Sequence, residues 1–198
     1  MNWALALLAG YIIGSIPTAN AIAGLFGIDL RSGGSGNPGA NNARRLGGPG
    51  LSIAILLVEA TKGAAAVLTG DIIAGSPGMV AAGLGAATGN VFNVWYRFQG
   101  GKGLAITLGV LLVAWPLAAL PVIVAIAAVA VVTRSTGMAT IGALALMVVL
   151  GLLWHAMTWP NGWGASETSL PWLAVGLAVV LAPKHLIDAL APRPRIRG

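Results

Sequence analysis

The part of this sequence best suited to chemistry is a glycine-rich segment at residues 29–45, which combines hydroxyl and amide side chains with arginines. Glycines let a backbone approach a ligand closely. Successive backbone N–H groups in such a turn form a nest for an anion, and an arginine fork binds two phosphate oxygens at once. The segment is therefore predicted to bind an anion such as a phosphate. The alternative is a flexible basic loop whose arginines meet anionic lipid.

A second candidate is Lys102 in the run Gly100-Gly101-Lys102-Gly103. This is not a Walker loop, because Gly103 stands where Ser or Thr should follow the lysine. A lysine flanked by glycines still supplies a point charge for a phosphate, with backbone N–H groups around it. The aromatic residues at 95–98 are typical of a membrane-interface belt.

Two further places carry charge or a titratable ring. Glu59 and Lys62 are three residues apart, so they share one helix face. Charges at membrane depth usually face a bundle interior or a wet cavity, although a purely structural ion pair is the alternative. His185 is predicted to act as a base or to bind phosphate, or else to cap a helix C-terminus. No metal site is predicted, since cysteine is absent and His155 lies near the opposite face.

The composition requires these residues to be positioned by membrane-embedded helices. Of the 198 residues, 57% are hydrophobic and 8% are charged, whereas a soluble domain carries roughly 25% charged residues. Such a chain satisfies its backbone in hydrocarbon by forming helices, which predicts an all-α polytopic membrane protein. The N-terminal stretch has no Lys or Arg before its apolar core, which argues against a signal peptide. One domain covering residues 1–198 is expected.

Seven apolar stretches are expected to span the membrane, each needing about 20 residues. They are Trp3–Gly27, Leu51–Gly70, Met79–Trp95, Leu104–Trp115, Leu117–Val132, Met138–Met157 and Leu170–Leu190. The fourth and fifth meet at Trp115-Pro116 and form either two tight spans or one long helix, since proline tends to break or kink a helix.

The distribution of charge supports seven spans. With that count, ten of the eleven Lys and Arg residues fall on one side of the membrane. The positive-inside rule makes that side cytoplasmic, so the N-terminus is expected outside and the C-terminus inside. The candidate residues then form a cytoplasmic surface site for one or two anionic substrates.

Three runs of residues resemble motifs of the bacterial acyl-phosphate:glycerol-3-phosphate acyltransferase family. Residues 34–42, followed by Arg45, resemble the family's G-S-G-N-x-G-A-T-N-x-x-R motif. Residues 59–63 resemble D-x-x-K-G, and residues 89–107 resemble G-H-x-x-x-x-x-x-x-F-K-G-G-K-G-x-A-x-T. The runs keep the family's order and approximate spacing, and Gly14-Ser15-Ile16-Pro17 in the first span also fits.

The chain departs from the family's patterns at several positions. Asn90 stands where the family usually has histidine, Asn41 where it has threonine, and Gln99 where it commonly has lysine. After His185, Asp188 takes the asparagine position of H-x-x-N-I-x-R.

The resemblance implies a seven-span fold and transfer of a fatty acyl group from acyl phosphate to the 1-hydroxyl of glycerol 3-phosphate. The products are lysophosphatidic acid and phosphate, in the first step of phospholipid synthesis. The implied catalytic residues are Ser35, Lys102 and His185. The implied substrate-binding residues are Gly36, Asn37, Gly39, Asn42, Arg45, Lys62, Gly100, Gly101 and Gly103.

The expected surroundings follow from that reaction. The partners are the two substrates, membrane lipid and an enzyme that makes acyl phosphate, with no cofactor and no nucleic acid. The expected location is the inner or plasma membrane, with the site facing the cytoplasm. Two alternatives stay open: a transporter of phosphate or an organic phosphate, whose cations belong near the midplane, and an inactive paralogue that binds lipid.

Overall fold

The computed structural model describes residues 2–190, and the regular elements in that range are all helical. The α-helices are α1 (Asn2–Ser15), α2 (Thr18–Gly24), α3 (Ala40–Val91), α4 (Leu104–Ala114), α5 (Pro116–Thr133), α6 (Thr136–Ala156) and α7 (Leu170–Leu190). A short 3-10 helix, Val94–Tyr96, follows α3. The all-α prediction is confirmed for these residues. Three arginines assigned to the cytoplasmic side, Arg193, Arg195 and Arg197, lie outside the described residues.

Five helical segments are long and apolar enough to cross a membrane. They are Asn2–Gly24, Ala40–Tyr96, Pro116–Thr133, Thr136–Ala156 and Leu170–Leu190. The apolar helix α4, Leu104–Ala114, is shorter. The polytopic prediction is therefore supported, while the count of seven spans and the orientation of the termini stay predictions.

Helix breaks subdivide the predicted stretches. The first predicted stretch, Trp3–Gly27, is interrupted at Ile16 and Pro17, which lie between α1 and α2. The helix breaks there because Pro17 has no N–H to donate. Within α3, the backbone leaves the helical region at Ala74 and Gly75, which separates the predicted second and third stretches. Trp115, with φ −146°, separates α4 from α5, so residues 104–133 form two helices rather than one.

Helix α1 lies against the second half of α3 through small residues on both helices. A methyl group added at Gly10 or Gly14 would come within 2.1 Å of the Ala82 or Ala86 carbonyl oxygen. Conversely, a methyl group added at Gly85 of α3 would lie 2.2 Å from the Leu7 carbonyl oxygen of α1. Small residues spaced four apart let membrane helices approach backbone to backbone. This contact fixes α1 beside the part of α3 that leads into residues 100–103, called here the Lys102 segment.

Helices α3 and α4 cross at a second backbone contact. A methyl group at Gly63 would lie 2.0 Å from the Ile106 carbonyl oxygen, and one at Gly109 would lie 1.7 Å from the Ala60 carbonyl oxygen. Both positions therefore require glycine. The crossing holds the start of α4, which begins two residues after Lys102, against the turn of α3 that carries Glu59 and Lys62.

The largest apolar core lies between α3, α4, α5, α6 and α7. Trp115, Leu173 and Leu177 are fully buried within it. At its far end, the Asn161 amide donates to the Ala114 and Ala165 carbonyl oxygens at 2.8 and 3.0 Å. This core seats α7 beside α3 and α4, so that the last turns of α7 reach the Lys102 segment.

Replacing Gly109 by alanine is expected to lower the unfolding temperature of the detergent-purified protein, because the new methyl group overlaps the Ala60 carbonyl oxygen. Overpacking of this kind costs about 1–3 kcal/mol, more than the gain of about 1 kcal/mol from replacing glycine by alanine in a helix. The matched control is Gly142→Ala in α6, where the nearest atom is 3.9 Å away. Equal unfolding temperatures for the two variants would contradict the close α3–α4 crossing.

Candidate functional site

The glycine-rich loop before α3 is organised by the side chain of Asn42. Its amide nitrogen donates to the carbonyl oxygens of Leu30 and Gly33 at 2.8 and 3.0 Å, and its oxygen accepts from the Ser35 N–H at 2.8 Å. Asn42 is 1% exposed. The predicted role of Asn42 as a direct substrate ligand does not fit this arrangement, because both ends of its amide are used inside the loop.

Glycine is required where the loop passes Asn42. Gly34 has a φ of +60°, and a methyl group there would lie 2.2 Å from the Asn42 side-chain oxygen. Gly36 has a φ of +70°. These two left-handed residues turn the chain so that Ser35 is exposed beside the cavity described below.

The loop also contacts the segment that follows α3. The Arg31 guanidinium carbon lies 4.3 Å from the centroid of the Tyr96 ring, a cation–π distance. The backbone N–H of Arg31 donates to the Asp29 carboxylate at 2.9 Å. This hydrogen bond lowers the pKa of the Asp29 carboxyl, because it favours the charged form.

The Lys102 segment folds back onto the end of α3. Gly100 N–H donates to the Val91 carbonyl oxygen at 3.1 Å, and Gly101 N–H donates to the Asn90 carbonyl oxygen at 2.9 Å. The anion nest expected from these two N–H groups is therefore not formed, because α3 already accepts both hydrogens. Gly100 and Gly101 are buried, while Lys102 is partly exposed.

Lys184 of α7 holds this segment in place. Its ammonium donates to the carbonyl oxygens of Val91, Gly100 and Gly101 at 3.1, 2.6 and 3.0 Å. An ammonium has three N–H donors, so these carbonyls occupy all of them. Although Lys184 lines the cavity described below, it has no hydrogen left for a ligand. The charge pattern alone marked Lys184 as a basic residue and did not reveal this role.

His185 adds a contact to the same segment. Its Nε2 lies 3.1 Å from the Lys102 carbonyl oxygen. Since a carbonyl only accepts, Nε2 carries the hydrogen, and Nδ1 is left as an acceptor. His185 is 1% exposed and is not among the residues that line the cavity. Its position therefore fits support of Lys102 better than the predicted contact with substrate.

A cavity of about 320 Å³ opens where the loop, the Lys102 segment and α7 meet. It is lined by Ser35, Gly36, Asn37, Lys102, Lys184, Ile187 and Asp188. The Lys102 ammonium forms an ion pair with the Asp188 carboxylate inside it. The structure thus brings together Ser35, Gly36, Asn37 and Lys102 of the predicted site residues.

Other predicted site residues lie elsewhere. Arg45 is exposed on the first turns of α3 and does not line the cavity. Lys62 is 8% exposed and donates to the Ile16 carbonyl oxygen at 2.7 Å. Gly39 precedes α3 at its N-cap, and Gly103, with φ +80°, precedes α4.

Lys62 belongs to a buried polar cluster beneath the site. Glu59 accepts from the Lys62 ammonium at 3.1 Å, from the Asn90 amide at 2.8 Å, and from the Thr18 hydroxyl. A space of about 10 Å³, lined by Glu59, Asn90 and Gly101 among others, lies beside the cluster and has room for roughly one water molecule. The predicted Glu59–Lys62 pairing is present. The pair lies at the break between α1 and α2, where Thr18 and Ile16 supply further hydrogen-bond partners.

The fold and sequence match known proteins along most of the chain. The family model for glycerol-3-phosphate acyltransferase matches residues 4–189. The chain belongs to this family. A glycerol-3-phosphate acyltransferase of Synechococcus sp. (strain JA-3-3Ab) is 43% identical over 152 residues, covering 74% of this chain and 75% of the relative. One of Agrobacterium fabrum is 41% identical over 152 residues, covering 76% and 73%.

Two crystal structures share the fold. Both are of PlsY (YgiH), an integral membrane glycerol 3-phosphate acyltransferase. The glycerol 3-phosphate form has a TM-score of 0.78 and 26% identity, covering 96% of this chain and 90% of that one. The lysophosphatidic acid form has a TM-score of 0.76 and 25% identity, covering 93% and 88%.

Within the family motifs, Glu59 and Asn90 replace aspartate and histidine. Glutamate is one methylene longer than aspartate, and the asparagine amide is shorter than an imidazole. The Asn90 amide donates to Glu59 at 2.8 Å, and from these side-chain lengths we expect the two departures to compensate in reach. Asn90 is thus directed into the buried cluster.

A double-mutant cycle tests this compensation. Glu59→Asp should lower the unfolding temperature by opening a gap, and Asn90→His should lower it by overfilling the space. The double variant should lose less stability than the two single variants lose together, with an interaction free energy of about 0.5–3 kcal/mol for residues in contact. Glu167→Asp, which removes the same methylene in the 157–169 connection, should combine additively with Asn90→His. Additivity in both pairs would contradict the compensation.

Proposed function

We propose that this protein transfers a fatty acyl group from acyl phosphate to the 1-hydroxyl of glycerol 3-phosphate, releasing lysophosphatidic acid and phosphate. The observation that carries the proposal is the cavity in which Lys102 faces Ser35 and Asn37, in a chain that matches the acyltransferase family over residues 4–189. This reaction begins phospholipid synthesis, and it requires an enzyme that supplies acyl phosphate.

The chemistry suits a site with cations and polar donors. An acyl phosphate is a mixed anhydride whose phosphate is a good leaving group. Attack by an alcohol then depends on orientation and on neutralisation of the developing negative charge. Lys102 supplies the positive charge, and a phosphate oxygen of a substrate accepts the proton of the attacking hydroxyl. The acyl carbon–phosphate oxygen bond breaks as the ester bond forms.

The other residues divide between ligands and supports. Ser35 and Asn37 line the cavity and orient the glycerol portion, while Arg45 turns from its exposed position to hold a phosphate. Asn42 shapes the loop, and His185 and Lys184 hold the Lys102 segment by its carbonyl oxygens. Lys62 supports the α1–α2 break beneath the site.

The membrane topology that fits this function has seven spans, with the N-terminus outside and the C-terminus inside. The break at Ala74 and Gly75 supports two spans within α3, and Trp115 supports two within residues 104–133. The basic loops then lie in the cytoplasm, beside soluble glycerol 3-phosphate, and the acyl chain lies in the inner leaflet. The expected location is the inner or plasma membrane.

Turnover is tested by measuring phosphate release from palmitoyl phosphate, with and without glycerol 3-phosphate, using protein purified in detergent. Release should require glycerol 3-phosphate. Lys102→Ala should reduce it by about 10²–10³-fold, the effect of removing one group that stabilises developing charge, with an unchanged unfolding temperature. Arg134→Ala removes an exposed cation from the loop after α5 and should leave release unchanged. Full activity in folded Lys102→Ala would overturn the role of Lys102.

The loop-ordering role of Asn42 is tested by comparing two adjacent asparagines. Asn42→Ala leaves two carbonyl oxygens and one N–H without their partner, and each lost buried hydrogen bond costs about 1–3 kcal/mol. We expect the variant to lose at least about tenfold in kcat/KM, since 1.4 kcal/mol corresponds to tenfold. Asn41→Ala, at an exposed position, should change it by less than about twofold, a typical surface effect. Equal losses would contradict the structural role of Asn42.

A further inference from the structure

Asp188 places a negative charge where a phosphate is expected to bind. Its carboxylate forms an ion pair with the Lys102 ammonium, and the two side chains are each 31% exposed. Both line the cavity together with Ser35 and Asn37. Among the residues that line this cavity, Asp188 is the one carboxylate.

The alternative cation in the cavity is already occupied. The Lys184 ammonium donates to three carbonyl oxygens, so it offers Asp188 no hydrogen. Lys102 is therefore the cation for which anions compete here. A carboxylate oxygen and a phosphate oxygen are both acceptors for the same charged N–H groups. A phosphoryl group that binds Lys102 fully must take the place that Asp188 holds.

We propose that Asp188 is an internal counter-ion of Lys102 that a substrate's phosphoryl group displaces, and that it thereby sets the affinity of the cavity for phosphate. The inference rests on the proposed function, which requires a phosphoryl group at Lys102. Asp188 returns to Lys102 when phosphate leaves, so the ammonium is neutralised both before and after each reaction cycle.

The difference in charge explains why displacement proceeds. A phosphate monoester carries about −1.5 to −2 charges at pH 7, against −1 for a carboxylate, so Lys102 attracts the phosphoryl group more strongly. Binding of the phosphoryl group is still weakened by the exchange, because the ion pair between Lys102 and Asp188 is lost. A neutral amide, which the family motif places at this position, would not compete in this way.

The decisive variant is Asp188→Asn, which removes the charge and keeps the shape of the side chain. Binding is measured without turnover, as the concentration of inorganic phosphate that gives half of the maximal rise in unfolding temperature, since a ligand of the folded state stabilises it. The concentration should fall by about two- to five-fold, as expected for loss of a partly exposed ion pair. Added phosphate should inhibit release from palmitoyl phosphate at a correspondingly lower concentration.

The matched control is Asp71→Asn, the same chemical change at an exposed carboxylate about 18 Å along α3 from Glu59. It should leave the half-saturating phosphate concentration unchanged. Asp188→Ser, a second uncharged variant, should behave like Asp188→Asn and serves in its place if the amide variant does not purify.

Four results would overturn the inference. They are unchanged phosphate affinity in the Asp188 variants, weaker affinity in them, an equal gain in Asp71→Asn, and no stabilisation of any variant by phosphate. The proposed function is judged separately, by release of phosphate that depends on glycerol 3-phosphate in the unsubstituted protein. Release with no effect of Asp188 on affinity would thus reject the counter-ion and keep the acyltransferase.

Discussion

The arrangement of the site depends on donors for the carbonyl oxygens at the end of α3 and in the segment that follows it. Val91, Gly100 and Gly101 point their oxygens toward α7, away from bulk water. A buried carbonyl without a partner is costly. The Lys184 ammonium of α7 serves the oxygens of Gly100 and Gly101, and it is a second donor for Val91, which already accepts from the Gly100 N–H. Lys184 holds the backbone before Lys102, and His185 contacts the Lys102 carbonyl oxygen, so the two residues together place Lys102 at the mouth of the cavity.

Buried charge in this protein is accompanied by several hydrogen-bond partners. Glu59 and Lys62 lie inside an apolar bundle, and each contacts the α1–α2 break as well as the other. An isolated ion in such surroundings would be expensive. The break frees the Ile16 carbonyl oxygen for Lys62, so the interruption of the first span and the charge below it stabilise one another.

The sequence allowed the helical class, the apolar stretches and four of the seven residues of the cavity wall to be predicted, because hydropathy, glycine and charge are local signals. Ser35, Gly36, Asn37 and Lys102 do lie together. The same signals could not separate ligands from supports. Asn42, His185 and Lys184 have the chemistry of ligands, and their partners are backbone groups up to 93 residues away in sequence. Which backbone groups lack partners depends on helix packing, and that packing rests on close contacts such as Gly63 on Ile106.

The attachment of the Lys102 segment to α7 has a consequence for biosynthesis. Lys184 is made 84 residues after Gly100, which at about 5–20 residues per second corresponds to about 4–17 seconds of translation. During that interval the segment has emerged from the ribosome without the ammonium that its carbonyl oxygens require. The nascent chain therefore completes its site only when its last described helix enters the membrane, and a ribosome that stalls before α7 leaves a protein without an assembled site.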